Sequence, residues 1–362
     1  MASADTTLLD VVRGVVDPDL RRPIGDLGLL REASVEGTTA RIGITVPGPR
    51  WNAEPLGQAL AAAAKAIDGI DEVAVDVAIM SPEDVESLGN RLREERPITV
   101  GGQGSRTRVL LVASGKGGVG KSSISANTAV ALAGLGHDVG VIDADVWGYS
   151  IPRMLGVEMP PQAVGALIIP PSAHGVRAMS MDFFVGQDQA VVWRGPMLHK
   201  ALEQFLQDVW WDEPEFLIIV MPPGTGDVAI SVSQFVPRAQ AIIVTTPQPT
   251  AQRVAKRAAS MAEKVNQDVL GVIENMSWFT GDDGTRYEIF GSGGGADLAD
   301  DLEVPLLGQV PLVTAMREGA DRGEPAAMAA PGSEAAAAFE SIAATIADMR
   351  PRVRMRPELV IK

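Results

Sequence analysis

The sequence predicts an α/β protein, a doubly wound and mostly parallel sheet preceded by a small α+β unit. Three observations carry that prediction. Short apolar runs alternate with helical stretches from residue 109 onward; a glycine-rich loop separates the first such run from the first such helix; and a charged break rich in Pro and Gly divides off what comes before.

In chain order, residues 7–16 have helical spacing, residues 39–46 and 73–79 alternate apolar and polar side chains, and residues 56–67 form an alanine-rich helix between those strands. Together they make a compact α+β domain over 1–92. Residues 93–107, within a stretch of charge, Gly, Pro and Gln, read as a linker. The main domain, 108–348, opens with Val-Leu-Leu-Val-Ala at 109–113, apolar throughout as a strand buried on both faces must be. Residues 139–142, 216–220, 241–245 and 269–273 are runs of the same kind, with helical stretches at 122–135, 196–209 and 251–265 between strands. The tail, 349–362, mixes Pro, Arg and hydrophobic residues without helical period and reads as irregular.

Gly115, Lys116, Gly117, Gly118, Val119, Gly120, Lys121 and Ser122 spell Gly-Lys-Gly-Gly-Val-Gly-Lys-Ser, which fits the phosphate-loop pattern G-x-x-x-x-G-K-[ST]. In such a loop backbone N–H groups cradle phosphates, the final lysine reaches the terminal phosphates, and the hydroxyl ligates magnesium. The strand before it and the helix after it place the phosphates at a helix N-terminus.

Composition narrows the function. A chain of 362 residues exceeds the roughly 250 at which single cores stop growing, so two cores are expected. With 46% hydrophobic and 21% charged residues it belongs among globular proteins rather than disordered ones. The net charge of -15 argues against a nucleic-acid-binding surface, no apolar run has membrane-spanning length, and no export signal opens the chain, so a cytoplasmic location is expected. The chain has no cysteine, which excludes disulfides, thiolate metal ligands and a cysteine nucleophile.

The loop with its extra Lys116, through Ser123, resembles the deviant Walker A loop of MinD/Mrp-class P-loop ATPases. Asp143-Ala144-Asp145, Trp193-Arg194-Gly195-Pro196-Met197, Pro222-Pro223-Gly224-Thr225-Gly226-Asp227 and Glu274-Asn275-Met276-Ser277 follow in the order and spacing of the Mrp/ApbC family. Residues 1–92 resemble the PaaD-like domain fused to such ATPases, through Val16-Asp17-Pro18-Asp19-Leu20 and Asp26-Leu27-Gly28. The resemblance implies an ATP-binding iron–sulfur cluster carrier or assembly factor, homodimeric, with client apoproteins, binding ATP and Mg2+. It implies that Lys116 reaches the partner subunit's nucleotide, a cation delivered to developing phosphoryl charge. It also implies that Asp143 holds magnesium with Ser122, partly through water, that Asp145 orients the attacking water, and that Asn275 hydrogen-bonds adenine. Pro311 is similar to a family proline lying against the base, and serves equally well as a plain turn residue. The Asp17-Pro18 turn is explained equally well as a helix stop and is assigned no chemistry.

Three departures from the family pattern matter. The stretch after Glu-Asn-Met-Ser, where the family usually carries Cys-x-x-Cys, is Trp278-Phe279-Thr280-Gly281-Asp282-Asp283-Gly284-Thr285, without soft ligands, so no residue here is an iron–sulfur ligand. The small domain has Val46-Pro47-Gly48-Pro49-Arg50 where such domains commonly place a cysteine. Val220 stands two positions before Pro222, where the family has an acid that organises magnesium, so ATP binding with slow or absent turnover is expected. A nucleotide-gated dimeric adaptor without a cluster is the alternative. A MinD/ParA-like positioning ATPase is less favoured, because neither an amphipathic tail nor a basic surface is present.

Overall fold

The computed structural model describes residues 4–95, 99–102, 104–145, 148, 150–184, 195–224 and 227–349. The motif residues Trp193, Arg194, Thr225 and Gly226, and the tail beyond Met349, lie outside the described residues.

The first unit runs α1 (Ala4–Arg13), α2 (Ile24–Leu27), β1 (Leu30–Glu36), β2 (Thr39–Val46), α3 (Glu54–Lys65), β3 (Glu72–Ile79) and α4 (Pro82–Glu94). Its sheet has the order β1-β2-β3, with β1 antiparallel to β2 and β3 parallel to it across α3. Every second residue of β2 (Ala40, Ile42, Ile44, Val46) is buried against Leu8 and Val12 of α1 and Leu56 and Leu60 of α3. Three elements were not read from the sequence, the four-residue α2 among them. β1 carries only broken alternation, and α4 is mostly charged, though its start is marked: Asp84 N–H donates to Ser81 Oγ at 3.2 Å with Pro82 in the first turn.

The second unit begins with β4 (Arg108–Ala113), α5 (Lys121–Gly134), β5 (Val139–Asp143) and α6 (Ile151–Met154). Short strands β6 (Gln162–Val164), β7 (Leu167–Ile169) and β8 (Ser172–Ala173) precede β9 (Val176–Ser180). Then come α7 (Gly195–Gln207), β10 (Phe216–Val220), α8 (Asp227–Phe235), β11 (Gln240–Thr245), α9 (Pro249–Lys264) and β12 (Asp268–Asn275). A hairpin of β13 (Phe279–Thr280) and β14 (Arg286–Tyr287) leads to α10 (Gly294–Asp301), β15 (Leu306–Val310), α11 (Thr314–Arg322), α12 (Ala326–Ala329) and α13 (Glu334–Asp348).

The large sheet has the order β15-β12-β11-β4-β10-β5-β9-β8, parallel except for the edge strand β8. Helices cover both faces, as the near-continuous apolar strands require. Leu110, Val112, Ile218, Val220, Val139 and Val141 pack toward α5 and α13; Leu111, Leu217, Ile219 and Ile142 pack toward α7 and α8. Each apolar run of the main domain read from the sequence is a strand of this sheet.

The two units share a core. The β6–β7 hairpin puts Val164, Leu167 and Ile169 among the apolar residues of the first unit, and Trp210 joins them while its Nε1–H donates to Leu20 O at 3.1 Å. Gly89 of α4 is pressed so closely on this hairpin that a Cβ would lie 2.6 Å from Val164 O. Arg22 adds a two-pronged pair with Asp212, 2.7 Å for each bond. Among the described residues no helix is long and apolar enough to cross a membrane.

Candidate functional site

β4 is the strand at which the sheet's connections diverge, with β10 and β5 to one side and β11 and β12 to the other, so its carboxyl end is where an open α/β sheet collects ligands. The glycine-rich loop stands there. Gly118 and Gly120 have φ of 79° and 88°, a left-handed backbone that turns the chain sharply into α5. Gly115 is required by what lies behind it, since a Cβ would come within 2.0 Å of the Val254 carbonyl carbon in α9. A Cβ on Gly120 would lie 2.2 Å from Asn275 Nδ2. The loop is thus clamped between α9 and the end of β12. No side chain caps the N-terminus of α5, which leaves its first N–H groups and dipole directed at the loop.

Lys121, first residue of α5, is 6% exposed, and its Nζ lies 3.7 Å from Asp145 Oδ2. Burial lowers the Lys121 pKa, with Asp145 and Asp143 pulling it back up. Ser122 and Ser123 follow on the same turn, half-buried. Lys116 points away from its own loop and donates from Nζ to Gln248 Oε1 at 3.2 Å. Gln248, which ends the segment before α9, was not singled out by the sequence; no motif marks it.

Asp143 and Asp145 end and follow β5, adjacent to the loop. Asp143 is fully buried: its Oδ1 accepts from Asp145 N–H at 3.1 Å, and its Oδ2 from Ser150 N–H at 2.9 Å and Ile151 N–H at 3.1 Å. Burial pushes its carboxyl up to about 6 in spite of those bonds. It therefore organises the segment leading into α6, a structural task that the sequence reading did not foresee. Val220 lies in register with Asp143 on one side and Val112 on the other, fully buried in the core that also holds Val119. The floor beneath the loop is apolar at this position.

Asn275 has a further contact that the sequence did not show. Its Nδ2–H donates to Val119 O at 2.9 Å and the residue is 4% exposed, so the donor end of the amide braces the loop instead of standing free for a base. Pro311 is buried directly after β15, next to the turn in which Ser277 N–H donates to Val310 O at 3.0 Å. Beside Asn275, the fully buried Glu274 accepts from Gln309 Nε2 at 2.7 Å and from Gly295 N–H at the start of α10.

The stretch that holds cysteines in the resembling family is the β13–β14 hairpin, and its turn closes on itself. Gly281 N–H donates to Thr285 O at 2.9 Å, while Asp283 accepts from Thr285 N–H at 3.0 Å and Thr285 Oγ1 at 2.8 Å. Glu334 at the head of α13 clamps the hairpin, accepting from Thr280 Oγ1 at 2.7 Å, Arg286 Nη2 at 3.0 Å and Trp278 Nε1 at 3.3 Å. Among the described residues no group of three or more His, Asp or Glu is placed to hold a metal ion.

Residues 105–347 match the family model of the NUBPL iron-transfer P-loop NTPase, and residues 5–77 match that of an iron–sulfur cluster assembly protein. The chain is 43% identical over 341 residues to an iron–sulfur cluster carrier protein of Mycobacterium bovis, covering 91% of this chain and 89% of the relative. It is 39% identical over 351 residues to one of Synechocystis, covering 94% and 96%. Among solved structures it is similar to a nucleotide-binding protein of Archaeoglobus fulgidus in complex with ADP, at 32% identity and TM-score 0.54 over 65% of this chain and 91% of that one. The septum site-determining protein MinD of Pyrococcus horikoshii, with Mg-ADP, shares the fold at 24% identity and TM-score 0.51, over 67% of this chain and 96% of that one.

Proposed function

The chain belongs to the iron-transfer P-loop NTPase family, and on that premise we propose that it is a MgATP-binding homodimer serving iron–sulfur cluster delivery, with the cluster's thiolate ligands supplied by another molecule. The observation that carries this reading is the loop itself: left-handed at Gly118 and Gly120, crowded against its neighbours at Gly115 and Gly120, and opening onto an uncapped helix N-terminus with Lys121 buried beside it. Backbone N–H groups of Gly115–Gly120 cradle the phosphates, and Lys121 exchanges Asp145 for the terminal phosphates. Ser122, on the first turn, and Asp143, behind it, are the residues that would hold magnesium, which supplies charge neutralisation at the phosphates. Asp145, released from Lys121, orients water. Asn275 and Pro311 border the base, and Lys116 leaves Gln248 to reach the nucleotide of the second subunit. With Val220 beneath the loop, turnover is slow, and ATP acts more as a clamp on the dimer than as fuel. Client apoproteins receive the cluster, and the setting is the cytoplasm.

Iron–sulfur ligation by this chain does not fit. It has no thiol, and the hairpin turn spends Asp283 on its own backbone. The cluster is therefore cargo that the chain helps to hand on, ligated by other molecules. The competing reading, a nucleotide-gated adaptor that joins proteins without touching a cluster, rests on the same missing thiols, and the iron–sulfur carrier relatives do not favour it.

One experiment tests both. Transfer of a cluster from a thiol-ligated scaffold to a cysteine-bearing apoprotein is followed by visible absorption, with and without the chain and MgATP. Acceleration that Lys121→Ala abolishes is expected; MgATP binding without any acceleration sinks the delivery reading and leaves the adaptor.

A further inference from the structure

The seam between the two units encloses a cavity of about 320 Å3. One wall is Pro18 and Asp19, with Asp17 behind them and outside the lining; the opposite wall is the segment that continues α6. Asp17 is fully buried. Its Oδ1 accepts from Asp19 N–H at 3.0 Å and Leu20 N–H at 2.8 Å, while its Oδ2 has no hydrogen-bond partner. Asp19 lines the cavity, and burial together with the neighbouring Asp17 raises its carboxyl to about 6. Neither carboxyl forms an ion pair among the described residues. The Asp19 carboxylate, half-buried and next to a second acid, is costly unless a cation arrives on its cavity side.

The remaining lining specifies what kind of cation. Glu158 adds a third acid from the facing wall, and Arg50, exposed, is the lining's one base. Trp51, 8% exposed, and Met159, 40% exposed, provide apolar surface along which a hydrocarbon stem can lie. That combination matches an ammonium on an aliphatic stem, with the indole favouring the cation as well. Ser172 at the mouth belongs to β8, the edge strand of the large sheet, paired on one side only. An open strand edge favours an extended backbone over a free small molecule.

We propose that this inter-domain cavity receives a lysine side chain from an extended segment of a partner protein, the ammonium against Asp19 and Glu158 and the stem against Trp51 and Met159. The proposal rests on the reading that the chain serves partner proteins, but its test does not depend on nucleotide or cluster.

The full-length protein with 13C-methyl-labelled methionine is titrated with the peptide acetyl-Ala-Leu-Lys-Leu-Ala-amide, with the same peptide carrying norleucine for lysine, and with n-butylamine. A saturable shift of the Met159 methyl by the lysine peptide is expected, about tenfold or more weaker for the norleucine peptide and for Asp19→Asn. Glu158→Gln, an exposed change on the other wall, weakens it too and guards against a folding defect in the first variant. No saturable shift, or equal binding of the norleucine peptide, overturns the proposal; butylamine binding as tightly as the peptide overturns the extended-segment occupant. MgATP affinity measured on the same samples separates this outcome from failure of the nucleotide reading, since peptide binding without ATP binding would sink only the latter.

Discussion

The phosphate loop and the β13–β14 hairpin stand at the same carboxyl edge of the large sheet, and they keep their shapes by opposite means. The loop is held from outside: Gly115 lies against α9, Gly120 against Asn275, and Val119 O accepts the Asn275 amide. The hairpin is held by its own side chains and one neighbour, Asp283 on Thr285 and Glu334 on Thr280, Arg286 and Trp278. Phosphate binding depends mainly on backbone N–H groups, which survive as long as the glycines do. Cluster ligation depends on thiolate side chains, and a hairpin can lose them while hydrogen bonds preserve its turn. Within one fold, then, the nucleotide chemistry and the cargo chemistry can part company.

The largest effect is expected where the loop's outside support fails. Gly115→Ala drives a methyl group into the Val254 carbonyl, with no flexible side chain to yield, so α9 or the loop must move. A loss of about 3 kcal/mol in denaturant unfolding, with MgATP binding abolished, is expected. Unchanged stability would show that the loop is not braced by α9. Lys121→Ala comes next: removing a charge-assisted contact to phosphate lowers ATP affinity by roughly a hundredfold in calorimetry. Glu334→Gln, the equivalent blow to the hairpin, leaves ATP affinity as it was; a shared loss would join the two regions that the comparison separates.

Much of this was legible beforehand, for a physical reason. Parallel strands buried on both faces must be apolar throughout, so β10 was read at Phe216–Val220 as it stands, and the loop's spacing named its residues. What stayed hidden were bonds between distant positions. The family resemblance made Asp143 a magnesium ligand; that its oxygens also accept N–H groups two, seven and eight residues further on has no local signal. The Asn275–Val119 bond spans 156 residues, and nothing local records it. The strands β6 and β7 have three residues each, too few for a periodic signal, yet they join the two cores.

A smaller effect is expected from a change beneath the loop. Val220→Asp places a carboxylate in a fully buried site beside Asp143, where magnesium coordination through water becomes available. ATP turnover is expected to rise by about tenfold, at a cost of about 2 kcal/mol of stability without nucleotide. Equal rates for the variant and the parent protein would mean that Asp143, Asp145 or Asp227 already does this work.

The gentlest test is acid, because the two regions should respond to it with opposite sign. Asp143 is raised from 3.8 to about 6 by burial, so the folded state prefers it protonated. Its contribution to stability is therefore greatest below 3.8 and is lost as pH rises through about 6; acidification across that window relieves the segment after β5, beside the loop. Asp283 and Glu334 are lowered, the first mainly by the Thr285 N–H and the second mainly by the Thr280 hydroxyl and Arg286. Their contribution is complete above the ordinary values of 3.8 and 4.5 and disappears as pH falls through their lower folded values. On descending from neutral pH, the side-chain carboxyl 13C signal of Asp143 should titrate first, while those of Asp283 and Glu334 and the amide of Thr285 hold their positions until more acidic solution. If the hairpin signals moved first, its hydrogen bonds would not be what closes it. The hairpin would then need another source of stability than Asp283 and Glu334.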